Sequence, residues 1–379
     1  MKIHLIAIGG AAMHNLAIAL HKKGFQVTGS DDVVYEPSKT RLANYDLLPS
    51  EMGWDESRIT SDIDAIILGM HARVDNPELL KAQELGLKIY SYPAYIYEQS
   101  KNKIRVVIGG SHGKTTITSM ILHVLNYHQK EIDYLVGAQL AGFDTMVKIT
   151  DSAPIMIIEG DEYLASPIDR RPKFHLYHAN IAVISGIAWD HINVFPTFAD
   201  YVLQFSKFID TITPGGKLIY CELDEELKHT VEQSQADVVK IPYGIPVHKV
   251  KDGVTYLLPQ QTALNVFGDH NLMNLNAAKQ VCEQLGIAGD AFDKAIASFS
   301  GAAKRLELLS AVNQTNVYKD FAHSPSKLKA TIQAVKTQFT DRKLVAMMEL
   351  HTFSSLNKDF LDEYKKSMQA ADIAIVYID

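Results

Sequence analysis

The residues best suited to chemistry in this sequence lie in a glycine-rich stretch, "GGSHGKTT" (109–116). Glycines let backbone N–H groups turn towards an anion, and a lysine followed by a hydroxyl is the pair that P-loop proteins use for phosphate and Mg²⁺. The common pattern, G-x-x-x-x-G-K-[ST], would require glycine at position 108, where this chain has Ile108. The stretch therefore predicts a phosphate-binding loop of a shortened form.

Lys114 and Thr115 are the two side chains of this loop with a predicted role. Lys114 is expected to face the β- and γ-phosphates of a nucleotide, and to face solvent when none is bound, while the Thr115 hydroxyl would bind Mg²⁺. The alternative is an ordinary glycine turn with a solvated lysine. The order of apolar strand, glycines, lysine and amphipathic helix favours phosphate binding.

Two further strands end in residues that can bind a metal ion. Glu159 closes the apolar run "IMIIE", and His191 follows Asp190 at the end of "IAVISGIAWDH". Mg²⁺ prefers oxygen ligands, and ligands of parallel sheets bind at the carboxyl ends of strands. Such an acid could instead cap a helix or pair with an arginine, and a lone histidine is more often structural. Three strand ends with phosphate or metal ligands form a stronger pattern than one.

The elements that would position these residues alternate between short apolar strands and amphipathic helices, which predicts an α/β fold with parallel sheets. Polar residues near Ser100 and the turn near Ser300 divide the chain into three predicted domains. We expect them to cover residues 1–100, 101–299 and 300–379. The third has fewer residues than a doubly wound domain usually needs, so we expect the chain to end inside it.

Composition narrows the class of protein. The 379 residues are 47% hydrophobic and carry a formal net charge of −7, which argues against a general nucleic-acid or anionic-membrane binder. The only cysteines, Cys221 and Cys282, have no metal-type spacing. No signal peptide is evident, and no segment approaches the roughly 20 apolar residues of a membrane span. We expect a cytoplasmic protein without membrane insertion.

These motifs, in this order, resemble the Mur ligase family, the ATP-dependent amide ligases of peptidoglycan synthesis. The resemblance covers the whole chain and implies a Rossmann-like N-terminal domain, a P-loop central ATPase domain and an incomplete Rossmann-like C-terminal domain. The family loop, G-[ST]-x-G-K-[ST]-[ST], is a shortened P-loop. It implies ATP binding by Gly110, Ser111, His112, Gly113, Lys114, Thr115 and Thr116.

Three downstream motifs extend the resemblance to the rest of the ATP site. "GDHNLMN" resembles the family's adenine segment, which implies that Asn271 and Asn274 contact the base. "SGAAKRLE" is similar to a family turn whose arginine, here Arg305, reaches the phosphates. "KDFAHSP" implies Asp320 on the ribose side and His323 near the phosphates.

The front of the chain, "IGGAAMHNLA" and "VTGSD", resembles the family's UDP-sugar domain, although Ala12 replaces a family glycine. The residues that the resemblance assigns to the UDP-sugar are Gly9, Gly10, Met13, Ser30, Asp31 and His71.

The segment "EGDEYLASPIDRRPKF" resembles the murein peptide ligase branch of the family. This implies that UDP-N-acetylmuramate is joined to the tripeptide L-Ala-γ-D-Glu-meso-diaminopimelate in peptidoglycan recycling, with addition of L-alanine as the alternative. Where relatives have N-x-E-x-D-H, this chain has Gly186 and Ala188 before Asp190 and His191. Some members use a carbamylated lysine as a metal ligand; Lys207 has suitable spacing, but "FSKFID" favours a helix with a solvated lysine.

The resemblance also implies a mechanism. ATP phosphorylates the sugar's lactyl carboxylate, and an amino group then attacks the acyl phosphate. Lys114, with Mg²⁺ on Thr115 and Glu159 and a second Mg²⁺ on His191, would cancel the repulsion between the two anions. A kinase or an NTPase switch would also use a P-loop but would not need a glycine-rich front domain, and a binding-only protein is the remaining alternative.

Overall fold

The structure, a computed structural model, describes residues 1–138, 143, 145–189, 194–301, 306–351, 355–356 and 358–378. The chain divides into two compact units. The first is formed by Met1–Lys114 and Lys130–Pro242, and the second by Thr115–Gln129 and Tyr243–Asp379. Within the described ranges, no helix is long and apolar enough to cross a membrane.

The first unit opens with a small parallel sheet. Its strands are β1 (Lys2–Ile6), β2 (Gln26–Ser30), β3 (Ala65–Leu68) and β4 (Ile89–Ser91), paired in the order β2-β1-β3-β4. The helices between and after them are α1 (Ala11–Lys22), α2 (Ser38–Ala43), α3 (Pro77–Glu84) and α4 (Tyr92–Ser100). The central strands β1 and β3 are almost wholly buried, as expected for a parallel sheet covered by helices. The predicted β-α-β order is confirmed.

A larger, seven-stranded sheet follows in the same unit. Its strands are β5 (Ile104–Gly109), β6 (Ile132–Leu135), β7 (Val147–Lys148), β8 (Ile155–Glu159), β9 (Ile181–Ile184), β10 (Gly216–Cys221) and β11 (Val238–Tyr243). The helices in this part of the chain are α5 (Lys114–Tyr127), α6 (Phe198–Asp210) and α7 (Glu225–Gln233). The order is β11-β10-β9-β5-β8-β6-β7, so β5 is central, with β8 and β9 parallel to it on its two sides.

Local sequence explains where the two later helices begin. Thr197 caps α6 by accepting a hydrogen bond from the Asp200 N–H at 3.1 Å, and Asp224 caps α7 by accepting one from the Leu227 N–H at 2.9 Å. Helix α6 buries one face, formed by Tyr201, Phe205, Phe208 and Ile209. Phe208 of this face packs close to β5, where a Cβ at Gly109 would lie 3.4 Å from its ring.

An aromatic cluster joins α6 to the loop after β8. Phe174 lies in a short 3-10 helix, Lys173–Leu176, and is fully buried. Its ring stacks on Phe208 with centroids 4.5 Å apart and meets the edge of Phe205 at 5.5 Å. The "RPKF" part of the segment that resembles murein peptide ligases thus has a packing role.

We expect Phe174→Ala to lower the free energy of unfolding by about 3–5 kcal/mol, because it leaves a cavity between stacked rings. Urea denaturation measures the change. Ile168→Ala in the same loop removes an apolar side chain that is 48% exposed and is the matched control, with little expected loss. A loss below about 1 kcal/mol for Phe174→Ala would contradict the packing role.

The described strands of the second unit form three small sheets. An antiparallel meander consists of β12 (His248–Lys251), β13 (Val254–Leu257) and β14 (Thr262–Leu264). Helices α8 (Asp269–Gln284) and α9 (Asp290–Ile296) follow. Strands β15 (Glu307–Val312) and β16 (Thr315–Lys319) form an antiparallel hairpin, and after α10 (Pro325–Gln338) the strands β17 (Val345–Leu350) and β18 (Ile373–Ile378) pair in parallel.

One predicted helix differs from the structure. The pattern "KDFLDEYKKSMQAA" indicated a helix, whereas the structure has a 3-10 helix at Lys358–Tyr364 followed by turns. Tyr364 and Met368 pack against the small core formed by Leu328, Ile332, Met348 and Leu350. This tertiary packing outweighs the weak local preference for an α-helix.

Candidate active site

The glycine loop lies where three parallel strands end side by side. In the register of the large sheet, Ile108 of β5 pairs with Glu159 of β8, and Gly109 of β5 pairs with Ile184 of β9. The carboxyl ends of β8, β5 and β9 therefore meet at one edge, which is where open α/β sheets bind ligands. This agrees with the position expected for Glu159 from the sequence.

The loop backbone has a conformation that needs glycine. Gly110 has φ +117° and Gly113 has φ +80°, in the region that residues with a Cβ rarely adopt. A Cβ at Gly110 would also lie 2.7 Å from the backbone nitrogen of Ser185. The turn leads directly into the first residue of α5, Lys114. Glycines before a helix N-terminus form a cradle that suits a phosphate group.

Lys114 is not turned towards solvent, contrary to the expectation from the sequence. Its ammonium group lies 2.7 Å from Oε2 of Glu162 and donates a second hydrogen bond of 2.7 Å to the Gly110 carbonyl. The two side chains are only 17% and 2% exposed. Burial lowers the pKa of Lys114, but the Glu162 carboxylate outweighs this effect and raises the pKa above its usual value. The lysine is therefore held charged.

Glu159 is fixed by a backbone donor from the neighbouring strand connection. Its Oε2 accepts a hydrogen bond of 2.8 Å from the Gly137 N–H. A Cβ at Gly137 would lie 2.7 Å from Oε1 of Glu159, so a larger residue there would displace this carboxylate. Among the described residues, no group of three His, Cys, Asp or Glu side chains forms a metal cluster. A carboxylate at a phosphate cradle fits Mg²⁺, whose shell phosphate oxygens and water can complete.

Two residues of the site lacked a prediction from the sequence. Glu162 accepts from Lys114 and, at 3.1 Å, from the Tyr201 hydroxyl. Tyr201 lies 3.0 Å from the Ser111 hydroxyl. Glu162 could have been found from the sequence because it is an acidic residue only three positions after Glu159. Tyr201 could not, because its spacing in α6 indicates only a core position.

Several predicted ligands lie outside the described residues, namely Asp190, His191 and Arg305. Lys207, the candidate for carbamylation, is exposed in the last turn of α6. His112 contacts its own loop through Nδ1, 2.7 Å from the Ser111 carbonyl oxygen, and Thr116 is buried in α5.

The predicted adenine segment forms the start of α8 in the second unit. The Asn271 amide is buried and donates to the Phe267 carbonyl at 3.0 Å, while Asn274 is half-buried at the next turn. The two asparagines share a helix face because they are three residues apart. Burial lowers the pKa of the neighbouring His270 to about 4, so this ring is neutral.

The predicted ATP contacts of the third domain follow β16. Asp320 accepts a hydrogen bond of 3.3 Å from the Thr331 hydroxyl of α10. Nδ1 of His323 lies 2.9 Å from the Phe321 carbonyl oxygen, and the His323 carbonyl accepts from the Tyr364 hydroxyl. These contacts order the loop that carries both residues.

The front loop lies between β1 and α1 and gathers four of its six predicted residues. The Gly9 N–H donates to Oδ2 of Asp31 at 2.7 Å, and a Cβ at Gly10 would lie 3.8 Å from Nδ1 of His71. Burial raises the pKa of Asp31 to about 6, against the opposing effect of the Gly9 N–H. His71 is exposed beside this loop.

Ser30 and Met13 are the other two residues predicted to bind the UDP-sugar. Both are buried, and the Ser30 hydroxyl donates to Glu78, which is itself fully buried. Glu78 also lies 3.4 Å from Nε2 of His4 and accepts from the Asp55 N–H at 3.0 Å. The Ser30 hydroxyl belongs to this internal network, and its assignment to the UDP-sugar stays a prediction.

Known proteins with a similar sequence and architecture belong to one family. A family model described as the Mur ligase middle domain matches residues 108–282, and one described as the Mur ligase family, catalytic domain, matches residues 2–103. A UDP-N-acetylmuramate–L-alanine ligase of Caldicellulosiruptor bescii is 32% identical over 99% of this chain and 83% of its own length. The chain belongs to the Mur ligase family, whose members are ATP-dependent ligases.

Two other relatives bear a different name. A UDP-N-acetylmuramate–L-alanyl-gamma-D-glutamyl-meso-2,6-diaminoheptandioate ligase of Haemophilus influenzae is 28% identical over 88% of this chain and 76% of its own length. A solved murein peptide ligase from Psychrobacter arcticus superimposes with a TM-score of 0.70 at 24% identity, covering 100% of this chain and 84% of that one. This second likeness concerns the fold alone. The predicted three-domain α/β architecture is confirmed as that of a Mur ligase.

Proposed function

We propose that this protein joins the carboxylate of UDP-N-acetylmuramate to the amino group of an L-alanyl acceptor with consumption of ATP. The observation that carries the proposal is the meeting of Lys114 and Glu159 at the glycine loop, in a chain of this family. We assign the reaction to peptidoglycan synthesis or recycling in the cytoplasm, where ATP is available.

The loop is suited to bind the phosphates of ATP. Gly110 and Gly113 shape the backbone, and the Lys114 ammonium, charged and nearly buried, supplies the positive charge that a phosphoryl group needs as its negative charge increases. A carboxylate oxygen that attacks the γ-phosphorus of ATP displaces ADP and forms an acyl phosphate. The acceptor amino group then attacks the acyl carbon, expels phosphate and loses a proton to give the amide. Because two hydrogen bonds hold its ammonium group, Lys114 is already positioned before ATP binds.

Glu159 is the residue we propose as the described ligand of Mg²⁺, with Thr115 and His191 as the other proposed ligands. Mg²⁺ would supply charge neutralisation at the phosphate oxygens. The chain's own contribution is orientation: the Gly137 N–H fixes one carboxylate oxygen of Glu159 at 2.8 Å. This hydrogen bond fixes the orientation of the Glu159 carboxylate at the strand end beside the loop.

Two acceptors have support from different observations. The UDP-N-acetylmuramate–L-alanine ligase of Caldicellulosiruptor bescii, at 32% identity, favours free L-alanine. The Haemophilus influenzae relative, at 28% identity, favours the tripeptide. The segment "EGDEYLASPIDRRPKF" favours the tripeptide L-Ala-γ-D-Glu-meso-diaminopimelate. The support from this segment is weaker than its sequence suggests, since Phe174 is buried and Lys173 pairs with Asp161 at 2.6 Å. Both acceptors present the same nucleophile, the amino group of L-alanine.

The test offers UDP-N-acetylmuramate, ATP and Mg²⁺ with L-alanine or the tripeptide, and measures kcat/KM for each acceptor. We expect a difference of at least about tenfold, because a pocket built for one acceptor loses contacts or collides with the other. A higher kcat/KM with L-alanine assigns the chain the function of its L-alanine ligase relatives. A higher kcat/KM with the tripeptide assigns it to the murein peptide ligase branch. Phosphate release that does not depend on UDP-N-acetylmuramate would contradict ligation.

A further inference from the structure

A hydrogen-bonded chain runs through the glycine loop and ends on the loop lysine. The Ala188 N–H donates to the Ser111 hydroxyl oxygen at 2.8 Å, and Ser111 and Tyr201 hydroxyls are 3.0 Å apart. The Tyr201 hydroxyl donates to Glu162, whose other oxygen accepts from Lys114. Five residues from four segments, namely the glycine loop, the loops after β8 and β9, and α6, thus form one path.

The direction of this path follows from counting protons. Tyr201 has a single hydroxyl proton, and it goes to Glu162, so the Ser111 hydroxyl must donate to the Tyr201 oxygen. The Ser111 N–H is also used, since it donates to the Gly186 carbonyl at 3.0 Å. Both donors of Ser111 therefore hold the loop in place and are not available to a phosphate in this arrangement.

The same counting applies to the lysine. Of the three N–H groups of Lys114, one donates to the Gly110 carbonyl and one to Glu162. With two of its hydrogen bonds fixed, the ammonium can direct its third N–H towards the cradle. Glu162 lies at the centre because its two oxygens bind Lys114 and Tyr201 separately.

We infer that Glu162, supported by Tyr201 and Ser111, is the positioning residue that orients Lys114 for phosphoryl transfer. The inference rests on the proposed function for its reaction and extends it to residues without an assigned role. Glu162 is a carboxylate beside a site for a polyanion, so it opposes nucleotide binding by Coulomb repulsion while it improves the geometry of the lysine. Removal of the Glu162 charge should therefore slow phosphoryl transfer, while nucleotide binding stays equal or becomes tighter.

The experiment compares Glu162→Gln and Tyr201→Phe with the parent protein. We expect Glu162→Gln to lower kcat by at least about tenfold while the Kd of a non-hydrolysable ATP analogue, measured by calorimetry, stays equal or falls. Tyr201→Phe should lower kcat less, by about twofold to tenfold, because the Lys114–Glu162 pair remains. A kcat within twofold of the parent for Glu162→Gln, or a Kd that rises in proportion to the loss of kcat, overturns the inference.

A double-mutant cycle tests whether Glu162 acts through the lysine. In a Lys114→Met background, Glu162→Gln should lower the Kd of the analogue by a larger factor than in the parent, because only the loss of repulsion remains once the lysine is absent. An equal change of Kd in both backgrounds would show that Glu162 does not act through the lysine. The matched control is Asp169→Asn, which removes another carboxylate of the same loop that pairs with Arg171. A loss of kcat in the control equal to that of Glu162→Gln would overturn the inference.

The failure of the inference and that of the proposed function have different signatures. If the parent protein neither binds the analogue nor ligates, the proposed function fails. If the parent does both and Glu162→Gln behaves like the parent, only the positioning role fails. Thermal unfolding of each variant checks the fold, and Tyr201→Phe, which keeps the aromatic packing, provides the test if Glu162→Gln does not fold.

Discussion

Lys114→Ala is expected to abolish ligation, with kcat lower by on the order of 10³-fold or more. The substitution removes the ammonium group held at the glycine loop, and it deprives the buried Glu162 carboxylate of the lysine that compensates its charge. Two negatively charged groups, the phosphate and the attacking carboxylate, would then approach each other without that compensation. The measurement is ATP- and UDP-N-acetylmuramate-dependent phosphate release.

The lysine variant also needs a test that separates charge from folding. An uncompensated buried carboxylate is expected to cost about 3–5 kcal/mol of stability, so thermal unfolding must accompany the assay. The double variant Lys114→Met with Glu162→Gln removes both charges and should recover stability without recovering activity. Lys240→Ala, at an exposed lysine of β11, is the control for general loss of positive charge. Parent-like rates for Lys114→Ala would remove the basis for the phosphate-loop assignment.

The strand ends and the glycine loop were predictable because their signals are local. Parallel strands place their carboxyl ends at one edge, so apolar runs that end in Gly109 and Glu159 are enough to bring these residues together. The Lys114–Glu162 pair was not predictable in this way. Its partners are 48 residues apart, and their contact depends on the packing of the loop after β8. The sequence therefore predicted that Lys114 faces solvent when no nucleotide is bound.

The antiparallel meander of the second unit has a local sequence signal, although the strand-and-helix pattern predicted only parallel sheets. Asp252 and Gly253 lie between β12 and β13 with φ +51° and +72°, and an Asp-Gly pair with positive φ at both positions is a hairpin signal. The hairpin signal is weak because the flanking strands have only four residues each.

The burial of the Ser30 hydroxyl had no local signal in the sequence, because its hydrogen-bond partner Glu78 lies 48 residues away.

Glu159→Gln is the second substitution with a large expected effect. It keeps the size of the side chain and the hydrogen bond from Gly137 while it removes the negative charge proposed to bind Mg²⁺. We expect kcat to fall on the order of 10²-fold at saturating ATP, and the Mg²⁺ concentration for half-maximal rate to rise about tenfold or more. Activity is measured as a function of Mg²⁺ at fixed ATP. Unchanged Mg²⁺ dependence would contradict the role of Glu159 as a ligand.

Gly137→Ala tests the same carboxylate without changing its charge. The new Cβ would lie 2.7 Å from Oε1 and 2.9 Å from Cδ of Glu159, so the carboxylate has to move although Gly137 itself has an ordinary backbone conformation. Displacement of a metal ligand by its neighbour typically weakens metal affinity by about 10–100-fold. We therefore expect Gly137→Ala to raise the Mg²⁺ requirement by roughly tenfold and to restore most of the rate at high Mg²⁺, which Glu159→Gln cannot do because its ligand charge is gone. Gly215→Ala, where a Cβ meets no atom within 4 Å but φ is +73°, controls for the loss of a glycine. If Gly137→Ala lowers the rate equally at all Mg²⁺ concentrations, Glu159 does not act through the metal and the close approach of Gly137 has only a structural role.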